Sequence, residues 1–201
     1  MVNSIHGSDN SERIYGTRQS DRIEGRGGND RIYAWSGNDK AFGDYEEFEE
    51  GEEPEAPSPE SVRIGDDTLL GGWGSDTLIG NKGDDYLNGG EHYDNLKGGE
   101  GDDFLDGGGY HWFNDYDYYY DKLSGGDGAD KFVLYRGPVY DYITDFEGGT
   151  DKMILPRNVH FNNLRILNNG VDEAETKEIY YKGDLLAKVN VEETLTADDF
   201  I

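Results

Sequence analysis

The chain has 201 residues with 44 Asp and Glu against 18 Lys and Arg, a formal net charge of -26, and Leu, Ile, Val and Phe make up only about a fifth of it, so apolar burial alone holds such a chain poorly. That charge excludes nucleic acid and anionic membrane as partners, because both are bound through an excess of Lys and Arg. The absence of cysteine excludes disulfides and thiolate metal sites and leaves oxygen donors for hard cations.

The N-terminal stretch MVNSIHGSDNSERIYG has neither the basic region nor the apolar run of a cleaved secretory signal, and no segment is apolar for long enough to span a membrane. A soluble chain is expected, with any export by another route. Over the first 44 residues a new unit opens every nine residues, at Gly7, Gly16, Gly25, Ala34 and Gly43. The eighth places of these units hold Ile14, Ile23, Ile32 and Ala41, and the sixth places hold Glu12, Asp21, Asp30 and Asp39. Fourth-place glycine is present at Gly28 and Gly37 and replaced by Asn10 and Gln19. Degenerate early units suit an end unit that has no neighbour to stack on.

After Gly43, Asp44 and Tyr45 the pattern breaks for EEFEEGEEPEAPSPESVR and resumes at Gly65, with Asp67 in sixth place and Leu69 in eighth. Residues 46–64 are expected to be an exposed acidic loop inserted within one unit, since a stretch so rich in Glu and Pro cannot pack. The clearest repeats follow: GGWGSDTLI, GNKGDDYLN, GGEHYDNLK and GGEGDDFLD, with Asp76, Asp85, Asp94 and Asp103 sixth and Leu78, Leu87, Leu96 and Leu105 eighth. A period this regular marks a repeat architecture. His92 takes the fourth place in one of these units.

From Gly107 to Gly125 the register admits either two units, one degenerate, or one unit carrying an insertion of about 111–120. The second places Asp121 and Leu123 correctly and is preferred. The insertion carries Tyr110, His111, Trp112 and Tyr118 among other aromatics, and either packs as a local lid or offers a sugar or partner surface. GGDGADKFV, with Asp130 and Phe132, ends the array at residue 133. Residues 134–201 are expected to form a β cap. It would have short strands over Tyr142 to Phe146 and Lys152 to Leu155 joined by a turn at Gly148–Gly149, and a hairpin turning at Gly183 and Asp184.

Each unit reads as a glycine- and Asp-rich turn over six places followed by a very short strand centred on the eighth residue, with the seventh and ninth facing out. Two units make one coil, so units two apart stack at about 4.8 Å. That stacking lines up the Asp side chains in two ladders, and carboxylates about 5 Å apart repel by ~3 kcal/mol at an effective dielectric near 20. A bridging cation resolves the conflict. Calcium accepts six to eight carboxylate and carbonyl oxygens together, whereas magnesium wants fewer protein ligands in stricter geometry, so calcium is the better fit.

These units resemble the RTX, or hemolysin-type, calcium-binding nonapeptide GGxGxDxUx. The resemblance covers about residues 7 to 133 and implies an all-β, right-handed parallel β-roll with each calcium between turns two units apart. Carried onto this chain, one edge pairs Asp30 with Asp67, Asp67 with Asp85, Asp85 with Asp103 and Asp103 with Asp130. The other pairs Asp21 with Asp39, Asp39 with Asp76, Asp76 with Asp94 and Asp94 with Asp121. The turn residues implied as carbonyl donors are Gly28, Gly37, Gly65, Gly72, Gly74, Gly83, Gly99, Gly101 and Gly128, for about six to nine Ca2+ in all. DYITDFEGGTDKMIL looks like the segment that follows such arrays, with Asp145 and Asp151 as ligands for a final ion. LTADDFI is similar to the uncleaved signal of type I secretion substrates.

The resulting reading is a secreted, monomeric, non-enzymatic calcium-binding module of structural, adhesive or export-assisting use, with a cell-surface or polysaccharide partner possible. Neither an HExxH around His6, His92, His111 or His160 nor a GxSxG turn is present, so the protease and esterase motifs are missing. The alternatives are sugar or ligand recognition by Tyr110, His111, Trp112 and Tyr118, and catalysis by His111 with Asp115 or Asp117.

Overall fold

The computed structural model describes residues 2–44, 65–108, 120–137, 140–169, 176–191 and 194–201. In chain order the strands are β1 (Asn3–His6), β2 (Arg13–Tyr15), β3 (Asp21–Arg26), β4 (Arg31–Ser36), β5 (Lys40–Asp44), β6 (Thr68–Trp73), β7 (Thr77–Lys82), β8 (Tyr86–Glu91) and β9 (Asn95–Glu100). They continue as β10 (Phe104–Asp106), β11 (Lys122–Asp127), β12 (Lys131–Val133), β13 (Asp141–Ile143), β14 (Lys152–Ile154), β15 (Leu164–Asn169), β16 (Thr176–Tyr181) and β17 (Asp184–Asn190).

Alternate strands enter opposite sheets. One sheet runs β1-β3-β5-β7-β9-β11-β13-β17-β16-β15 and the other β14-β12-β10-β8-β6-β4-β2. All pairings through β14 are parallel, as is β13 with β17. The protein is a parallel β-roll. Its core is the row of eighth-place residues, in which Ile23, Ile32, Ala41, Leu69, Leu78, Leu87, Leu96, Leu105, Leu123 and Phe132 are all at 0% exposure. Because residues of one strand face alternate ways, one aliphatic side chain per unit suffices to seal the seam between the sheets.

Register holds across both interruptions. Leu69 lies opposite Leu87 and Leu78 opposite Leu96, Ile32 opposite Leu69 across the acidic insertion, and Leu96 opposite Leu123 across the aromatic one. The seventh and ninth residues face outward, where Tyr15 stacks on Tyr33 and Tyr86 on Phe104, each at 5.1 Å between ring centroids. Phe42, in a ninth place, is only 1% exposed, with the Arg22 guanidinium 4.6 Å and the Lys40 amine 4.7 Å from its ring centroid.

Three expectations change. The strands are longer than the last three residues of a unit. Thr77–Lys82, for example, runs from the seventh place through the third place of the next unit, because the first-place glycine keeps extended pairing and the bend falls on the places after it. The roll also continues beyond residue 133. Asp141–Ile143 and Lys152–Ile154, with the expected turn at Gly148–Gly149 between them, are parallel strands of opposite sheets, pairing with β11 and β12, and they add Ile143 and Met153 to the core row at 0% exposure. Finally, the β16–β17 hairpin turns one residue earlier than expected, at Lys182 and Gly183 with φ of 52° and 101°, since a two-residue hairpin loop of this hand needs both central residues at positive φ.

The C-terminus closes this end. Thr196 and Asp199 form a reciprocal capping box on the short helical turn Ala197–Asp199, Phe200 bridges to Met153, and the Ile201 N–H donates to the Met153 carbonyl at 3.0 Å. LTADDFI is thus folded onto the last turn of the roll.

Candidate metal centre

Parallel stacking brings sixth-place residues of alternate units together in two ladders. On one edge Oδ1 of Asp39, Asp76, Asp94 and Asp121 accepts the backbone N–H of Asp21, Asp39, Asp76 and Asp94 respectively, at 2.7 to 2.8 Å. On the other, Oδ1 of Asp67, Asp85, Asp103 and Asp130 accepts from Asp30, Asp67, Asp85 and Asp103, at 2.6 to 2.9 Å. The structure therefore brings together all eight Asp pairs named from the repeat.

Apart from the one to Asp121, whose carboxyl also bonds Asp141, each bond uses one carboxylate oxygen and strands the other. Oδ2 of Asp30, Asp39, Asp67, Asp76, Asp85, Asp94, Asp103 and Asp130 is buried with no hydrogen-bond partner among the described residues, and no ion pair among those residues reaches a sixth-place Asp. Loss of water is the main reason these groups resist ionising, with neighbouring carboxylates adding to it. Together they push Asp85 and Asp94 up to about 9, Asp67, Asp76 and Asp103 to about 7, and Asp30, Asp39 and Asp130 to about 6.

Carbonyl oxygens share this space. Beside the Cα of Gly71 lie both Oδ2 of Asp76 and the carbonyl oxygen of Gly89, and the same arrangement recurs at Gly25, Gly43, Gly80 and Gly98. The fourth-place glycines close the turns. Gly83 has φ of 114°, and a Cβ there would collide with the carbonyl oxygen of Gly65 in the turn before, so only glycine serves. Gly28, Gly37, Gly72, Gly74, Gly99, Gly101 and Gly128 likewise have positive φ and stack turn on turn, while Gly65 stacks against the carbonyl of Gly28. His92 substitutes at φ of 92° and bonds the Glu91 carbonyl through Nδ1 at 2.8 Å.

Oxygen donors alone, orphaned carboxylate oxygens and no neutralising Lys or Arg fit a hard dication. Among the described residues no three acidic or histidine side chains converge on a single point, so a bound ion would draw on carboxylates together with turn carbonyls. Calcium, when bound, supplies the positive charge that these rows lack.

The ends of the ladders differ from the middle. Thr17 donates its N–H to Oδ2 of Asp21 at 2.5 Å and its hydroxyl to Oδ1 at 3.1 Å, and Ser8 caps both oxygens of Glu12 in the same way. Both first-turn carboxylates are satisfied by their own loops. At the other end two sixth-place residues were hidden from the period. Asp141 sits beside Asp121, where burial, then the Asp106 charge, raises it far above the ordinary carboxylate range. Asp151 accepts from Asp130 N–H at 3.0 Å and Glu147 N–H at 2.8 Å. Asp145 instead accepts from Ser124, Gly125 and Gly126 on the outside of the turn. The signal for Asp141 was the Asp-Tyr-Ile triplet matching places six to eight, obscured by the loss of the preceding glycines.

Tyr110, His111, Trp112, Tyr118, Asp115 and Asp117, and the acidic insertion 46–64, lie outside the described residues.

Stacked parallel strands, glycine corners and buried carboxylate rows define a parallel β-roll whose turns are lined with oxygen donors. Residues 6–41, 63–92 and 79–109 match the RTX calcium-binding nonapeptide repeat (4 copies) family, so these stretches of the roll carry RTX repeats, a repeat type that in general binds Ca2+. Solved structures similar to it include the AlgE6R3 subunit of the Azotobacter vinelandii mannuronan C5-epimerase, at 18% identity and a TM-score of 0.31 over 97% of this chain and 80% of that one. Another is the extracellular lipase LipA of Serratia marcescens, at 14% identity and a TM-score of 0.31 over 100% of this chain and 40% of that one. No curated protein matches the chain. Among the described residues no helix is long and apolar enough to cross a membrane.

Proposed function

We propose that the chain is a secreted, non-enzymatic calcium-binding module that folds as it takes up about six to nine Ca2+ between stacked turns, and that it acts as a structural, adhesive or export-assisting unit. The observation that carries this is the set of buried Oδ2 atoms without partners from Asp30 to Asp130. A metal-free roll at neutral pH must either bury unpaired charge or hold protons against solvent, and both outcomes favour the open chain.

Low cytosolic calcium would keep the chain open for a type I channel, and the millimolar calcium outside the cell would fold it. LTADDFI then has two successive roles, an address while the chain is open and a cap once it is folded. The deciding measurement is a calcium titration by calorimetry with circular dichroism on the same samples. Several bound ions and a cooperative gain of β signal are expected. A chain already fully folded in chelator at neutral pH would overturn the proposal.

A further inference from the structure

The second place of the unit that opens at Gly43 holds Asp44. The second-place residues Arg26, Trp35, Gly72, Asn81, Gly90, Gly99, Gly108 and Gly126 all have positive φ, and Asp44 does not. Asp44 shares this with Ser8 and Thr17 of the first two units, and it lies immediately before residues 45–64. Asp44 is only 2% exposed; the backbone N–H groups of Gly65 and Lys82 face its carboxylate, but among the described residues neither oxygen has a partner at full hydrogen-bond geometry. Arg26 stands opposite it in register.

What lies around Asp44 is more oxygen. Beside the Cα of Gly43, its chain neighbour, Oδ2 of Asp67 and the carbonyl oxygen of Gly80 converge, and that Oδ2 is itself buried and unpartnered. Asp67 acts electrostatically on Asp44, and Asp44 on Asp85 in the following turn. Beside Gly25, Gly71, Gly80 and Gly98 the space is served by one sixth-place carboxylate and a carbonyl, and beside Gly107 by Asp121 together with Asp141. Here a second carboxylate is buried in a place where the other units have no acidic residue.

We propose that Asp44 is an additional carboxylate ligand for a calcium ion held between the unit of Gly43 and Asp67 and the turn at Gly80–Asp85, making this site more highly charged than those beside Gly25, Gly71, Gly80 and Gly98, so that it fills before them. A further unit of negative charge raises affinity for a dication, and the site's place at the interruption lets one ion bind the array together across it. The inference rests on the reading of the roll as calcium-binding.

The test is calorimetric calcium titration of the full chain as wild type, Asp44→Asn and Asp44→Gly, with circular dichroism at saturating calcium. Asn keeps the shape without the charge, and Gly restores what the repeat places there. Both variants should fold at saturating calcium, and both should lose the tightest binding class, weakened by about tenfold, while the remaining sites are unchanged. In chelator neither should be less structured than wild type, because a buried unpaired carboxylate has been removed. Wild-type affinities in both variants would overturn the proposal, and so would failure of both to fold in saturating calcium, which would mark Asp44 as structural. A wild type that binds no calcium would instead sink the calcium reading on which the proposal depends.

Discussion

The backbone N–H of Asp67 donates to Oδ1 of Asp85 at 2.7 Å, and Oδ2 of the same carboxylate is buried without a partner. One side chain thus joins two turns through the first oxygen and leaves the second uncommitted among the described residues. The division would let the same Asp be structural and, on the proposed reading, a metal ligand at once.

Asp85→Asn keeps an oxygen for the Asp67 N–H and deletes the charge. We expect calcium affinity at the flanking sites to fall by about tenfold, ~1.4 kcal/mol, with a higher calcium midpoint for folding by circular dichroism. In chelator at neutral pH the variant should be no less folded than wild type. A parallel loss in chelator would show that Asp85 serves packing alone.

pH should act in opposite directions with and without metal. Asp85 and Asp94 lie at about 9 in the roll and near 3.8 as unperturbed carboxylates. Folded values above unfolded ones mean that the metal-free roll binds protons on folding. Their contribution to its stability is fully present below about pH 4 and is lost as pH rises toward about 9. Circular dichroism in chelator should therefore show more β structure at pH 5 than at pH 8. In calcium the order reverses, because protons compete for the same oxygens.

Leu87 lies opposite both Leu69 and Leu105 at 0% exposure. Leu87→Ala should cost about 2 to 5 kcal/mol in calcium-saturated denaturation. Exposed Tyr86, one residue earlier, should cost far less when changed to Thr.

Gly83→Ala meets a steric limit that Gly149→Ala does not. Both glycines have positive φ, but a Cβ at Gly83 would collide with the Gly65 carbonyl, whereas nothing lies within 4 Å of one at Gly149. Gly149→Ala should cost about 1 kcal/mol in thermal unfolding, and Gly83→Ala clearly more, with reduced calcium binding because the turn carbonyls move.

The nine-residue period by itself determined the parallel roll, the eighth-place core row, the two Asp ladders and the correct phase across both insertions. It could do so because a repeat makes each residue's neighbour in space its own counterpart two units along, so that spacing is structure. The tertiary structure alone decided where that rule stops. Asp141 and Asp151 join the ladders although the glycines that announce a unit have gone, because strand pairing tolerates a changed corner. Asp21 lies in phase yet is satisfied by Thr17, because a local hydroxyl and N–H can reach it in an end unit. Asp44, out of phase and without special mark in the sequence, is buried within reach of the Asp67 carboxylate because stacking closes the next turns over it.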